Sequence, residues 1–413
     1  MVDATDLRGA SRLVIDATLG LTELVETMHH NILRVPGIFG TATNDPAGGI
    51  TGLVYRSIRG VTRLVGGSID VALSQLVPLL GQPSHSITRE AILAALNGVL
   101  GDHLVASGNP LAITMQFRRE GQVLPLSRTA LAGAIPKAAS RIVLLIHGLC
   151  MNDLQWQRNG HDHGASLYAD LAMGADANLP PPMTAIYLHY NSGRHISVNG
   201  RELAGMLEKL VAAWPVPLQQ LDIIGHSMGG LVARSACHYA AENGHAWPKL
   251  LRKMIFLGSP HEGAPLERGG NYVNVLLDAS PYTTAFSRLA KIRSAGITDL
   301  RHSALLDENW HASDRFAGGK KPAIPFVPLP DGVTCYAIAA TTSSKISAAK
   351  KPVESLSGDG LVPVASALGH SKNPGHRLGI PKSRQWVGHD MNHMDLLSSK
   401  AVYRRLRKWL ATG

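Results

Sequence analysis

The sequence predicts an α/β protein, a mostly parallel sheet with helices on both faces, preceded by an α-helical N-terminal segment. Three observations carry this. From Leu111 onward, short apolar runs alternate with helical stretches of about ten to fifteen residues, the pattern of buried parallel strands joined by crossover helices. Before Leu111 the apolar residues recur every three or four positions instead, which is a helical period. Finally, 413 residues with 45% hydrophobic content suffice for a large core, while no apolar run reaches the roughly 18 residues of a membrane span.

In chain order, Leu7, Ala10, Val14, Ala17, Leu21, Leu24 and Met28 fall on one helical face, with Asp6, Arg8, Arg12, Glu23 and Glu26 elsewhere. A loop rich in Gly, Pro and Asn follows, from Pro36 to Gly49. A second stripe runs through Ile50, Leu53, Ile58, Val61, Leu64, Ala72, Leu76 and Leu80, weakened by Gly66-Gly67. A third helix is expected after Ser86, through Ile92, Ala95, Leu96, Val99 and Leu100. Residues 1–110 therefore read as an amphipathic helical segment whose apolar faces need cover. The candidates are each other or the next domain, a lipid or polymer surface, and a second copy in a homodimer.

Residues 111–413 read as the α/β domain. Ile113, Met115 and Phe117 alternate with polar residues. Arg141 to Ile146 is an apolar run stopped by His147-Gly148. Further strands are expected at Thr184 to Tyr190, Leu221 to Ile224, Lys253 to Leu257 and Thr334 to Ala340, with helices at Val198 to Val211 and Met228 to Ala241. Residues 264–330 break the alternation with Pro265, Pro281, Pro322, Pro325, Pro328 and Pro330. A structureless loop of that length is improbable in a compact domain, so this stretch reads as an inserted lid.

The formal net charge is +10, from 40 Lys plus Arg against 30 Asp plus Glu, and it is concentrated late: 12 basic and 4 acidic residues fall from residue 343 onward. With aromatics at 5% and no basic groove motif, a nucleic-acid partner is not expected. A solvated basic helix over Tyr403 to Trp409 accounts for much of the excess. Cys150, Cys237 and Cys335 are widely spaced and form no CxxC pair, so they read as buried thiols. The start, Met1-Val2-Asp3-Ala4-Thr5-Asp6, lacks a secretory pattern. The expected location is cytoplasmic, with peripheral membrane contact through the N-terminal helices.

The strongest chemical signal is Gly225-His226-Ser227-Met228-Gly229, which follows an apolar β run and opens an amphipathic helix. A sharp strand-to-helix bend of this kind presents a serine hydroxyl at the strand's C-terminal end and needs glycines two residues either side. A serine hydroxyl is a poor nucleophile unless a base takes its proton, and the base needs an orienting carboxylate. Downstream, Gly358-Asp359-Gly360 puts an acid in a tight polar turn, and Asn392-His393-Met394 puts an imidazole just before the last helix. Ser227, Asp359 and His393 are therefore the expected catalytic residues. His389 is the rival base, and Asp222 and Asp395 are weaker candidates for the acid. Asp299 and Asp307 are discounted because they fall in the lid. The backbone N–H groups of Leu149 and Met228 are the expected oxyanion donors. His147, Gly148 and His226 are expected to line the substrate site. Cys150 has no better claim to a base than Ser227. The cluster His161, Asp162 and His163 reads as a polar surface loop rather than a metal site, and His261 with Glu262 lacks ligand spacing. The expected chemistry calls for neither cofactor nor metal.

These motifs, with Leu257-Gly258-Ser259-Pro260-His261-Glu262-Gly263, resemble the lipase and esterase branch of the α/β-hydrolase superfamily, notably bacterial triacylglycerol lipases and the deacylases of inositol-linked lipids. The resemblance runs from about Leu111 to the C-terminus and leaves the first 110 residues unexplained. It implies an α/β-hydrolase fold and two-step hydrolysis of carboxylic esters of lipid-like or apolar acids through an acyl-enzyme. The same machinery would serve an acyltransferase or amidase, and a lipid- or polymer-binding protein with a secondary hydrolase role is the remaining alternative.

Overall fold

The computed structural model describes residues 87–172, 182–264, 294–311, 325–348 and 356–411. The stripes Leu7 to Met28 and Ile50 to Leu80, and residues 265–293 and 312–324 of the expected lid, lie outside them.

Eight strands form one sheet: β1 (Gln116–Arg119), β2 (Gln122–Val123), β3 (Arg141–Ile146), β4 (Thr184–His189), β5 (Gln220–His226), β6 (Leu251–Leu257), β7 (Thr334–Ala340) and β8 (Gln385–Gly388). Their order is β2-β1-β4-β3-β5-β6-β7-β8. The β1–β2 and β1–β4 pairs are antiparallel and all others parallel. The expected parallel sheet is therefore present, extended by a short antiparallel hairpin and a four-residue edge strand.

The helices that matter to the site are α1 (Ile87–Ala106), α2 (Arg128–Ala134), α3 (His163–Ala172), α4 (Ile196–Ala213), α5 (Met228–Glu242), α6 (Ala295–His302) and α7 (Lys400–Ala411). Side chains alternate across a strand, and the two faces of the sheet bury two separate clusters. Ile142, Leu144 and Ile146 of β3 and Met254 and Phe256 of β6 join α1, α4 and α5 on one face. Val143, Leu145, Ile255 and Leu257 join Leu167 of α3 and Val402, Leu406, Trp409 and Leu410 of α7 on the other. Burial on both faces explains why these strands read as continuous apolar runs.

Helix α1 forms where the third stripe predicts it, and it is buried well beyond one face: Ile92, Leu96, Val99 and Leu104 belong to the α4/α5 cluster. Asn97 fastens it to the chain entering β1, donating to Leu111 O at 2.8 Å and accepting from Ile113 N at 2.9 Å. The described part of the expected lid is also tied down: α6 is capped by Ser294, and His195 Nδ1 lies 2.9 Å from Asp299 Oδ2. No helix among the described residues is long and apolar enough to cross a membrane.

Helix α7 buries Val402, Leu406, Trp409 and Leu410 and turns Lys400, Arg404, Arg407 and Lys408 outward. Its last carbonyls would lack partners. Instead Lys253 Nζ donates to Trp409 O at 2.8 Å, and Arg141 Nη2 donates to Leu410 O at 3.2 Å. Asp222 lies beside this pair, 3.8 Å from Arg141, and accepts from Gln220 Nε2. Burial pushes its carboxyl up to about 6, against the opposing pull of Arg141 and Lys253.

Since folding raises this pKa above the ordinary carboxylate value of about 3.9, the native state holds the proton more tightly. The stability it contributes is complete below about pH 4 and lost as pH rises through about 6. Relative to Asp222→Asn, the wild type is expected to lose on the order of 2–3 kcal/mol between those limits. Urea unfolding of both proteins from pH 4 to 7 checks this, and a constant difference would refute it.

Candidate active site

The turn from β5 to α5 places Ser227 in an unusual backbone conformation, φ 53° and ψ −123°. Such a non-glycine residue costs about 1–3 kcal/mol and persists only where its surroundings hold it. Here they do. Ser227 N–H donates to Leu257 O of β6 at 2.9 Å. A Cβ at Gly225 would stand 2.5 Å from Gly230 N, and one at Gly229 would stand 2.2 Å from Ile146 O. Both glycines of the motif are thus required by close backbone approach, the physical reason anticipated for them.

His393 stands immediately before the single turn Met394–Leu397. Its Nδ1 lies 2.7 Å from Asp359 Oδ2, and both residues are buried. The other carboxylate oxygen accepts from Leu361 N and Val362 N at 3.0 and 2.8 Å, and His393 N–H donates to Asp359 O at 3.0 Å. With Nδ1–H given to the carboxylate, Nε2 carries the lone pair. That atom is buried and has no hydrogen-bond partner among the described residues. A Cβ at Gly258 would lie 3.1 Å from His393 Cε1, so the imidazole rests on the end of β6, next to the carbonyl that holds Ser227. The rings of His226 and His393 are 4.6 Å apart, and His226 Nε2 faces His393 O at 3.3 Å. Of the three residues proposed from sequence, Asp359 and His393 are thus in contact, while Ser227 is held at the same end of β6 through its N–H and its Oγ makes no hydrogen bond to His393 Nε2.

The loop after β3 covers the bend. A Cβ at Gly148 would be 3.0 Å from Ser227 Cβ and 3.3 Å from His226 Nδ1. Leu149 and Met228, the expected oxyanion donors, are both buried. His147 stacks on Tyr190 with ring centroids 4.4 Å apart, and Tyr190 Oη donates to His147 O at 2.9 Å. Burial lowers His147 to about 3 and His226 well below its usual value, so both rings are neutral near pH 7. Burial also raises the Cys150 thiol to about 12, which keeps it protonated.

Of the rival candidates, the acids are engaged elsewhere. His389 is half-buried and makes no hydrogen bond to Asp359. Asp395 accepts from Asn392 N at 2.8 Å within its own turn. Asp222 faces Gln220 and Arg141 near the opposite end of β5, and Asp299 pairs with His195.

The sequence cluster at 161–163 is not a surface loop. His163 is buried, lowered by burial to about 4, and its Nε2 donates to Leu396 O at 2.9 Å while its Nδ1 faces His161 Nε2 at 2.8 Å. It braces the turn that follows His393, a role no spacing rule could reveal. Glu262 accepts from Ser371 Oγ at 2.6 Å, and buried His261 faces Arg234 Nη1 at 3.3 Å. No cluster of three or more His, Cys, Asp or Glu able to hold a metal occurs among the described residues.

Residues 137–341, just under half of the chain, match the family described as the PGAP1-like alpha/beta domain. This stretch is therefore similar to that domain. The matched stretch holds the Ser227 bend and the Gly148 loop, whereas Asp359 and His393 lie beyond its last residue and α1 before its first. Among solved structures, a lipase of Bacillus licheniformis is similar at 13% identity and a TM-score of 0.39, covering 65% of this chain and 91% of its own. A lipase-esterase related protein of Clostridium acetobutylicum is similar at 13% identity and 0.35, covering 66% and 95%. Lipase B of Aspergillus fumigatus is similar at 10% and 0.37, covering 84% and 72%. No curated protein gives a significant match.

The strain at Ser227 can be measured. Ser227→Gly is expected to be more stable than Ser227→Ala by about 1 kcal/mol, because glycine tolerates this backbone region and alanine does not. Paired thermal unfolding scans check this; a less stable glycine variant would contradict it.

Proposed function

We propose that the protein is a serine hydrolase of carboxylic esters in which Ser227 is the nucleophile, His393 the base and Asp359 the orienting acid. The observation that carries this is the 2.7 Å His393–Asp359 contact, which leaves a buried, unshared Nε2 lone pair on a ring packed against the end of β6, the strand end that also holds the strained Ser227. Ser227 Oγ attacks the ester carbonyl carbon as its proton passes to His393 Nε2, and the carbonyl electron pair moves onto oxygen. The N–H groups of Leu149 and Met228 receive that oxyanion, each such donor being worth a factor of about 10²–10³ in rate. Collapse of the intermediate expels the alcohol, which takes the proton from His393 and leaves Ser227 acylated. Water then attacks the acyl-enzyme with His393 again as base, releasing the acid and restoring the serine. Asp359 keeps Nδ1–H in place and stabilises the imidazolium formed in each half. His147, Gly148 and His226 wall the acyl site.

An apolar, lipid-like acyl group suits the apolar neighbourhood of the site, where buried Trp156 lies 6.3 Å from the His226 ring and buried Leu396 packs at Gly258 beside His393. Acyl transfer to an alcohol or amide hydrolysis would use the same groups, and product analysis with added alcohol separates them. Ser227→Ala is expected to abolish p-nitrophenyl ester turnover and fluorophosphonate labelling, and Asp359→Asn to lower kcat by about 10³–10⁴-fold. Turnover or labelling that survives in Ser227→Ala would overturn this assignment.

The stripe from Leu7 to Met28 supports a peripheral role in the same reading, holding the enzyme at a lipid surface or pairing two copies. Val14→Glu with Leu21→Glu is then expected to abolish flotation with vesicles, or to halve the mass in light scattering. Neither effect would remove both versions.

A further inference from the structure

Helix α1 lies outside the PGAP1-like match, yet it touches the loop that carries one of the assigned oxyanion donors. At Gly98 the contact is with backbone: a Cβ there would stand 2.2 Å from Cys150 Sγ, 2.8 Å from Cys150 Cα and 2.9 Å from Cys150 N. Cys150 is itself left-handed, φ 59°, and its N–H donates to Ser192 Oγ at 3.0 Å. The residue following Leu149 is thus held in a strained conformation between α1 and the loop after β4.

The seat extends in both directions from Gly98. A Cβ at Gly101 would stand 1.9 Å from Asn191 Oδ1, while Asn191 Nδ2 donates to Gly101 O at 3.0 Å. Ser294 Oγ donates to Gly98 O at 2.7 Å. Nearer the helix start, Glu90 Oε2 meets Arg118 Nη1 at 2.8 Å, and the same nitrogen lies 3.3 Å from Asp153 Oδ1. The segment from Leu149 to Asp153 is therefore pinned by α1 at two places, directly at Cys150 and through Arg118 at Asp153.

We propose that Gly98 is a positioning residue for the hydrolase: its missing side chain lets α1 seat Cys150, and with it the Leu149 N–H, where the developing oxyanion will stand. This rests on the assignment of Leu149 and Ser227 above. An oxyanion donor acts only within about 2.7–3.1 Å of its target. A methyl group on Gly98 would push the Cys150 backbone away by a comparable fraction of an ångström or more, and a misplaced donor weakens the transition state more than the ground-state ester.

The experiment compares wild type and Gly98→Ala by p-nitrophenyl ester kinetics. Rates are normalised to active sites by fluorophosphonate titration, and the Ki of a trifluoromethyl ketone, which forms a tetrahedral oxyanion, is measured alongside. The expected result is a fall in kcat of about tenfold or more with KM within about twofold, and a rise in Ki by a similar factor. A purely structural lesion would lower the melting temperature and the active fraction, leaving kcat per site and Ki in place. Cys150→Gly added to Gly98→Ala removes the nearest clash and is expected to restore part of both. Val105→Ala, on the exposed end of α1, is expected to change neither.

If Gly98→Ala does not fold, Cys150→Ala replaces it, and a loss of about threefold or more in kcat, matched in Ki, supports the proposal. A folded Gly98→Ala with kcat per site and Ki within twofold of wild type overturns it, as does an unaffected Cys150→Ala where Gly98→Ala fails to fold. Wild-type protein that neither turns over esters nor takes the label would remove the hydrolase assignment itself, and this proposal with it.

Discussion

The bend at Ser227 sets the terms for everything around it. A non-glycine residue at φ 53° and ψ −123° is held against its own backbone preference, and the restraint comes from three directions. β6 accepts its N–H through Leu257 O, the end of β3 presses on Gly229, and the loop after β3 crosses close enough to require Gly148. The same strand end that holds Ser227 N–H also carries Gly258, against which the His393 imidazole packs. Side-chain volume is excluded at Gly225 and Gly229 because backbone must occupy it.

The electrostatic surroundings suit a group that becomes charged only during reaction. His226 lies 4.6 Å from His393, and a second imidazolium at that distance would oppose protonation of the first. Burial keeps His226 and His147 neutral, so that repulsion would be absent in the proposed reaction, where His393 is the base. Glu90, Arg118 and Asp153 form a charged cluster in which opposite signs are paired within 3.3 Å. The histidine richness of the region therefore reflects packing and hydrogen bonding by neutral rings rather than metal ligation.

The sheet was legible because its strands are buried on both faces and so appear as apolar runs with β-branched residues, and the Ser227 turn because its glycines obey a hard steric rule. The edges were not: β2 has two residues and β8 four, too few to show a period of two. The cover of α1 was also beyond periodicity, which shows that a helix has apolar positions without naming what they meet. Gly98 and Gly101 did stand in the sequence three residues apart, on one face, but their meaning depends on Cys150 and Asn191, some 50 and 90 residues away. The brace between His163 and Leu396 is of the same kind, linking residues 233 apart in sequence.

That brace bears on how an imidazole reaches a carboxylate 34 positions earlier. The His393 loop is continuous with α7, whose apolar face is locked into the α3 side of the sheet and whose last carbonyls are capped by Lys253 and Arg141 at the far ends of β6 and β3. Near the site, Leu396 O is held by His163 and the backbone of His393 by Asp359 O. The loop is thus fixed at both ends by groups from two strands, a helix and the Asp359 turn, leaving the ring little freedom but rotation about its own bonds. Asp359 Oδ2 removes that freedom at Nδ1. The placing of His393 Nε2, the nitrogen proposed to react, is therefore a property of the core beneath α7 as much as of the residues that touch it.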